Sequence, residues 1–410
     1  MVLNCEEVKE KWPSYTNGTC SKEDEQMIEN HLDTCITCQD FLDKDLEMQE
    51  ASISFAGVNP EKQGSDPIST LSEKKQRQLI KKAKWKNRLL NAISALGLFI
   101  IISAVSGLLT ALYYNPFSDH GRGQIAVNVV QTATQMTMPN VFFSGVGSNT
   151  NFFFSMDFES TLKKQIGHEQ KAIGQLEGRL LFNQLNVNRN WNEGLYNVKL
   201  YFMHPDFVAE QPETEQSFYN ETLSETWDTL EVLPEGTVSE LALSFDDVYD
   251  LNEVYRILSG YELNIAWYAI DTGTEKNGDH YGSPYLSAGG IWGVAESAIF
   301  DFERGSSFSV ASDDGDHRAE VFKTGLRYLS ENEKVANKYW QMRHMGDDVS
   351  LRDRLGFVEE NGANSYGVVV TGPTKELLKL KENEQIIFAT LGEVELWNWY
   401  HTPAGGAIYN

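Results

Sequence analysis

Cysteine is missing from nine-tenths of this 410-residue chain, since all four cysteines lie at or before Cys38. That excludes a large extracellular part stapled by disulfides, and it suits a reducing compartment and a metal at the cysteine-bearing end. Positive charge is also scarce, with 34 Lys and Arg against 59 Asp and Glu and a net charge of −25. A surface so acidic repels phosphate, which argues against nucleic-acid binding by the bulk of the protein. Catalytic signatures are absent as well. There is no Gly-x-Ser-x-Gly elbow and no Gly-rich phosphate cradle. His168-Glu169 lacks the second histidine of a His-Glu-x-x-His zinc helix. Asp313-Asp-Gly-Asp316 begins like a calcium loop, but position twelve is Thr324 where a bidentate Glu belongs, so it reads as a solvated turn. His401, near Trp397 and Trp399, reads as a packed or surface histidine. No catalytic residue is assigned.

What the chain does have is concentrated at its start. Cys5, His31, Cys35 and Cys38 spell Cys-x25-His-x3-Cys-x2-Cys, three sulfurs and one imidazole, a full tetrahedral set for Zn2+. His31 and Cys35 are four apart and share a helix face, and Cys-x2-Cys is a usual spacing for two thiolates on one metal. Four protein ligands leave no position for a water, so the site is structural or a redox switch and not hydrolytic. Cys20 is the spare thiol, a half-exposed loop cysteine or a resolving cysteine for oxidation.

Around these residues the pattern predicts three short helices. Cys5, Val8 and Trp12 recur at helical spacing until Pro13 stops or kinks the first. Asn17-Gly18 is a turn signal. Ser21 with Asp24 resembles a capping box that opens a second helix to about His31, with Met27, Ile28 and Leu32 turned inward. Phe41, Leu42 and Leu46 extend the stripe onto a third. A core this small needs a staple, and zinc supplies it, so that metal binding is folding energy. The Gly- and Pro-bearing stretch from about Ala51 to Thr70 reads as a linker, and about Ser72 to Trp85 as a further helix.

Leu89 to Tyr114 holds no charged residue and is long enough to cross a lipid bilayer. Lys74, Lys75, Arg77, Lys81, Lys82, Lys84, Lys86 and Arg88 crowd its N-terminal side, whereas Tyr113, Tyr114, Asp119 and Arg122 follow it. The positive-inside rule then puts residues 1–88 in the cytoplasm and 115–410 outside, in agreement with where the thiols lie. The basic cluster also suits anionic headgroups.

Beyond Tyr114 there are 43 acidic against 21 basic residues. Val238–Phe245, Leu263–Ile270, Tyr366–Thr371 and Ile386–Glu395 read as strands. Leu251–Leu258 and Lys375–Lys381 read as helices, the second with Pro373 suited to its first turn. Trp191, Trp227, Trp267, Trp292, Trp340, Trp397 and Trp399 suffice for a real core. The expected fold class is a multidomain membrane protein. It comprises a small all-α zinc-binding domain (1–50), a linker with a basic juxtamembrane helix (51–88), one transmembrane helix (89–114) and an α+β extracellular domain (115–410).

The ligand set Cys5, His31, Cys35 and Cys38 resembles the zinc-binding anti-sigma factors, cytoplasmic inhibitors of extracytoplasmic-function sigma factors. Over roughly residues 3–50 this resemblance implies a helical domain that clasps a sigma factor and hides its polymerase-binding surfaces. Two further pieces resemble the sigma factor regulator family of Gram-positive membrane proteins. One is Ser239-Glu-Leu-Ala-Leu-Ser-Phe245 leading to Ala266-Trp-Tyr-Ala-Ile-Asp271-Thr-Gly273; the other is Tyr366-Gly-Val-Val-Val-Thr371-Gly-Pro-Thr-Lys-Glu376-Leu-Leu. The basic stretch and membrane helix resemble that family's N-terminal part. The expectation is a single-pass anti-sigma factor that answers an unidentified envelope ligand and does no catalysis. Release would come by a membrane protease, by conformational change or by loss of zinc. Cleavage or clustering is favoured over a rigid push through a lone helix. The competing reading is a membrane-anchored extracellular cell-wall enzyme or adhesin with a small intracellular zinc module. A zinc-finger nucleic-acid binder is disfavoured, because residues 1–73 hold five basic against sixteen acidic side chains.

Overall fold

A run of residues without Gly or Pro governs the middle of the chain. From Glu73 to Leu96 nothing interrupts a helix, and the basic stretch and the apolar stretch form one 42-residue helix, Glu73–Tyr114. The computed structural model describes residues 3–16, 19–41, 73–115, 121–210, 213–278, 285–287, 290–300, 314–342 and 350–400. Asn17-Gly18, Leu42, Leu46, the expected linker, Asp313 and His401 lie outside them. The chain divides into two units, 1–88 and 89–410.

In the first unit, α1 (Cys5–Thr16) and α2 (Lys22–Thr34) are followed by α3, which covers 36–41 of the described residues. Pro13 does not stop α1, which runs three residues further; so near the C-terminal end a missing N–H costs one bond only. Similarly α2 passes His31 and ends at Thr34, with the Cys35 N–H still bonded to the His31 carbonyl.

The second unit starts within the long helix, α4 (Glu73–Tyr114). Its stretch Asn87–Tyr114 has a mean hydropathy of 2.4 and faces outward with its Leu, Ile and Phe side chains, as a membrane span does. After α5 (Arg122–Thr137) comes an antiparallel meander, β1 (Phe142–Thr150), β2 (Ser155–Ile166), β3 (Glu169–Leu181) and β4 (Gln184–Trp191). In β2 alternate residues from Met156 to Ile166 are buried, the period of a sheet with one covered face.

A five-stranded antiparallel sheet follows in the order β7-β6-β8-β5-β9: β5 (Thr237–Tyr249), β6 (Asn264–Ile270), β7 (Gly293–Ala295), β8 (Ser365–Pro373) and β9 (Ile386–Leu396). All nine residues of β8 are buried, as befits a central strand written Tyr-Gly-Val-Val-Val. Helices α6 (Pro205–Glu210), α7 (Glu213–Val232), α8 (Leu251–Leu258), α9 (Gly315–Glu331), α10 (Glu333–Met342) and α11 (Leu351–Asn361) lie between strands. The four strands and α8 expected from the sequence are present. The expected helix Lys375–Lys381 is instead α12 (Thr374–Leu377) continued by a 3₁₀ turn, Leu378–Glu382. Trp267, Trp227, Trp292 and Trp399 are buried, whereas Trp397 is exposed.

The two sheets are keyed together at the end of β2. Lys164 Nζ meets Glu240 Oε2 of β5 at 2.9 Å, and Asn140 donates to Glu240 Oε1 at 2.7 Å. The Glu393 N–H of β9 also donates to Glu240, at 3.1 Å. Burial alone would draw the Lys164 ammonium down, but the Glu240 carboxylate outweighs it and holds it above its ordinary value of 10.5.

Candidate metal centre

Each donor of the N-terminal motif is placed by a local rule. Cys5 is the first residue of α1, where the Asn4 side chain accepts from the Glu6 and Glu7 N–H groups at 3.1 and 3.0 Å. Val8 and Trp12 follow at i+3 and i+7 and are buried. Ser21 caps α2 by accepting from the Asp24 N–H at 3.2 Å, and its hydroxyl donates to the Asp24 carboxylate at 2.9 Å. Asp24 also pairs with Lys11 of α1. His31 sits in the last turn of α2. Cys35 leaves the helix at φ −109° and ψ 107°, the corner that lets Cys38 return one turn later on α3. Gln39 holds that corner by donating to the Leu32 carbonyl at 2.6 Å.

The donor atoms of Cys5, His31, Cys35 and Cys38 all lie within 4.8 Å of one another. Cys5 Sγ is 3.6 Å from His31 Nε2 and 3.5 Å from Cys35 Sγ. A tetrahedral zinc with bonds of about 2.3 Å to sulfur and 2.0–2.1 Å to nitrogen has edges of about 3.8 and 3.6 Å. The donor set therefore fits Zn2+ by chemistry and by spacing. The N–H of Cys38 and the Cys5 thiol bring Cys35 down to about 6, so one thiolate is available near neutrality. Burial pushes Cys38 up to about 11, with the Cys5 and Cys35 sulfurs acting in the same direction. Cys20 is half-buried against the same small cluster and is not in the donor group.

Among the described residues, Val8, Trp12, Ile28 and the donor Cys38 itself form the buried centre of this unit, with Phe41 edge-on to Trp12 at 6.0 Å. Four side chains are too few to order three helices without a cross-link.

Of the other residues singled out in the sequence, those among the described residues serve packing and helix capping. His168 stacks on Trp399 at 4.1 Å. Asp314 caps α9 by accepting from the His317 N–H at 2.9 Å, and Asn252 donates to Asp316 at 3.0 Å, so these two exposed aspartates stand at a helix start. Sequence reasoning missed a polar knot beside the quoted Asp271-Thr-Gly motif. There Arg354 pairs with the buried Glu275 at 3.0 Å, and His204, 1% exposed, has Nε2 at 3.8 Å from Asp271 Oδ2. Burial opposes the Asp271 charge, but His204 and the Gly273 N–H outweigh it and hold the carboxyl below its ordinary range. The spread of these residues from 204 to 354 explains why no spacing pattern exposed them.

Three family descriptions match the chain in order. Residues 5–39 match "Putative zinc-finger", residues 77–171 match "Sigma factor regulator N-terminal", and residues 230–393 match "Sigma factor regulator C-terminal". The chain is also 29% identical over 401 residues to the "Probable anti-sigma-M factor YhdL" of Bacillus subtilis (strain 168), covering 96% of this chain and 99% of that one. No solved structure matches the chain. These descriptions are regulatory and give no support to a cell-wall enzyme or adhesin. The zinc-type donor cluster, the membrane-length helix and the matches to both sigma factor regulator parts, together in one chain, support a zinc-type membrane anti-sigma factor with a sigma factor regulator ectodomain.

Proposed function

We propose that Cys5, His31, Cys35 and Cys38 bind one structural Zn2+, and that the helices so held (residues 1–50) sequester an extracytoplasmic-function sigma factor. The observation that carries this reading is the donor spacing of 3.5 and 3.6 Å around a core too small to fold alone. Residues 51–88 link the zinc domain to the span 89–114, with the N-terminus in the cytoplasm and residues 115–410 outside. The crowd of Lys and Arg before Leu89 supports that orientation. An envelope ligand acting on the outer domain, or a membrane protease, then releases the sigma factor. The outer domain does no chemistry.

The test is co-purification of the full chain in membrane discs with the sigma factors of its native host, with zinc measured in the same sample. One sigma factor and one zinc per chain are expected, and both are lost together in a Cys35→Ser, Cys38→Ser variant. A variant that kept its sigma factor without zinc would sink the metal-dependent grip. No co-purifying sigma factor at all would sink the function. Orientation is read separately, by protease protection of either end in sealed vesicles.

A further inference from the structure

The hairpin tips of the β1–β4 meander carry aromatic residues where tight turns ordinarily carry Gly, Asn or Asp. Phe153 and Phe154 between β1 and β2, and Phe182 between β3 and β4, have φ of 57°, 55° and 52°. Side chains seldom adopt this left-handed region. Phe154 and Phe182 stack on each other at 4.8 Å, yet Phe152, Phe153 and Phe182 remain 53%, 51% and 50% exposed, with Leu181 beside them also exposed. In water these tips would combine backbone strain with exposed aromatic surface, and neither would be offset.

The neighbour of both tips is the end of α4. The Phe152 ring lies 3.3 Å from where a Cβ on Gly107 would stand, so it is the glycine that admits it. The Phe153 N–H donates to Ser106 Oγ at 2.7 Å, and the Phe154 N–H donates to Thr110 Oγ1 at 2.9 Å. The Tyr114 hydroxyl donates to the carbonyls of Phe154 and Phe182 at 2.7 and 3.1 Å, and the Phe182 N–H donates to the Phe154 carbonyl at 2.9 Å. The irregular backbone at the tips is thus partnered within the protein, which is the condition for such backbone to sit at membrane depth. About 20 residues counted from Leu89 fill a hydrocarbon core of about 30 Å, which puts its far boundary near Leu108, level with this contact. Aromatic rings concentrate at that boundary.

We propose that Phe152, Phe153, Leu181 and Phe182 are seated in the bilayer, in the leaflet at the C-terminal end of α4, with lipid acyl chains as their partner. The C-terminal domain is then held to the membrane at three points, the helix and two hairpin tips. This inference rests on α4 spanning the membrane and is independent of sigma-factor binding and of which end faces the cytoplasm.

A photo-reactive phenylalanine, p-benzoylphenylalanine, is introduced singly at 152, 153 and 182 of the full chain, and at Val146 of β1 as an exposed control away from the tips. Each protein is placed in phosphatidylcholine vesicles and irradiated, and peptides are analysed by mass spectrometry. Acyl-chain adducts at 152, 153 and 182 are expected to exceed those at 146 by about tenfold, as for groups at the acyl boundary against groups in water. Adducts at all three tips no more frequent than at 146 overturn the proposal. So does cross-linking of the tips predominantly to a second copy of the chain. Because the probe keeps the phenyl ring and is tried at three positions, one misfolded variant leaves the other two to decide.

Discussion

The two units of this chain keep their shape by opposite means. The described part of residues 5–41 buries Val8, Trp12 and Ile28 beside four candidate metal donors, one of them the buried Cys38; the C-terminal unit buries more than fifty side chains in one cluster and has no cysteine. The first needs a cross-link because its area is too small, and the second needs none. The small unit can accordingly be switched by whatever removes a metal or oxidises a thiol, while the large one tolerates both. The charge relations diverge similarly. Protons compete with zinc for thiolates, so the N-terminal unit weakens towards acid. Lys164 has a raised pKa when folded, so its pairing is fully present below the unfolded value of 10.5 and is lost as pH rises through the folded value. On the alkaline side, the C-terminal unit therefore keeps this contribution until the Lys164 ammonium itself loses its proton.

The sharpest way to break that contrast is to strip the metal. A strong chelator at neutral pH removes on the order of 10 kcal/mol of folding energy from the zinc unit. Amide exchange across residues 5–41 should then become fast while β5, β6 and β8 stay protected; joint loss of protection would show that the units are not independent. Next in size is the buried ion pair. Lys164→Met leaves Glu240 charged and unpaired, and denaturant unfolding of the C-terminal unit should show a cost of about 3–5 kcal/mol. The double variant Lys164→Met, Glu240→Leu should recover most of it, since the penalty belongs to the stranded charge. Ser21→Ala deletes the α2 cap and should lower apparent zinc affinity by about 1 kcal/mol, read by competition with a chromophoric chelator. Smallest is Arg179→Ala, which removes an exposed partner of Asp157 at 2.6 Å and should leave the denaturant midpoint of the C-terminal unit nearly unchanged, because solvent screens the pair. The Arg179 guanidinium holds Asp157 below 3.8, so this contribution is present above the unfolded value and vanishes as pH falls through the folded one.

The donor cluster is legible from spacing because His31, Cys35 and Cys38 stand close in sequence at one helix corner, leaving Cys5 alone to be brought in from α1. The β-rich end was legible where β-branched runs filled buried strands, as at Tyr366–Thr371. The meander was not. Its β2 strand alternates correctly, but Ser160 and Lys164 occupy buried positions, so the polar-apolar rhythm is broken on the very face that packs. Helix α5 escaped for the opposite reason: ten of its sixteen residues are buried, and small Val, Ala and Thr side chains surround it without an amphipathic stripe. The hairpin tips hid behind Phe, which no turn rule proposes. Charge changes at Arg88 and so divides the sequence of the single helix Glu73–Tyr114 into basic and apolar parts, although nothing in backbone propensity changes there.

The hydroxyls of Ser106 and Thr110 lie one helical turn apart, with Tyr114 a turn further on, and all three hold hairpin backbone. This row indexes the helix. A slip of one residue along the row turns the face by about 100° and presents Gly107, Ala111 and Asn115 in their place. Two amide N–H groups would then lose their acceptors in a region where water is scarce. Intermediate angles satisfy neither set. The row therefore fixes which face of the end of α4 meets the meander, as a key fixes a pulley on its shaft.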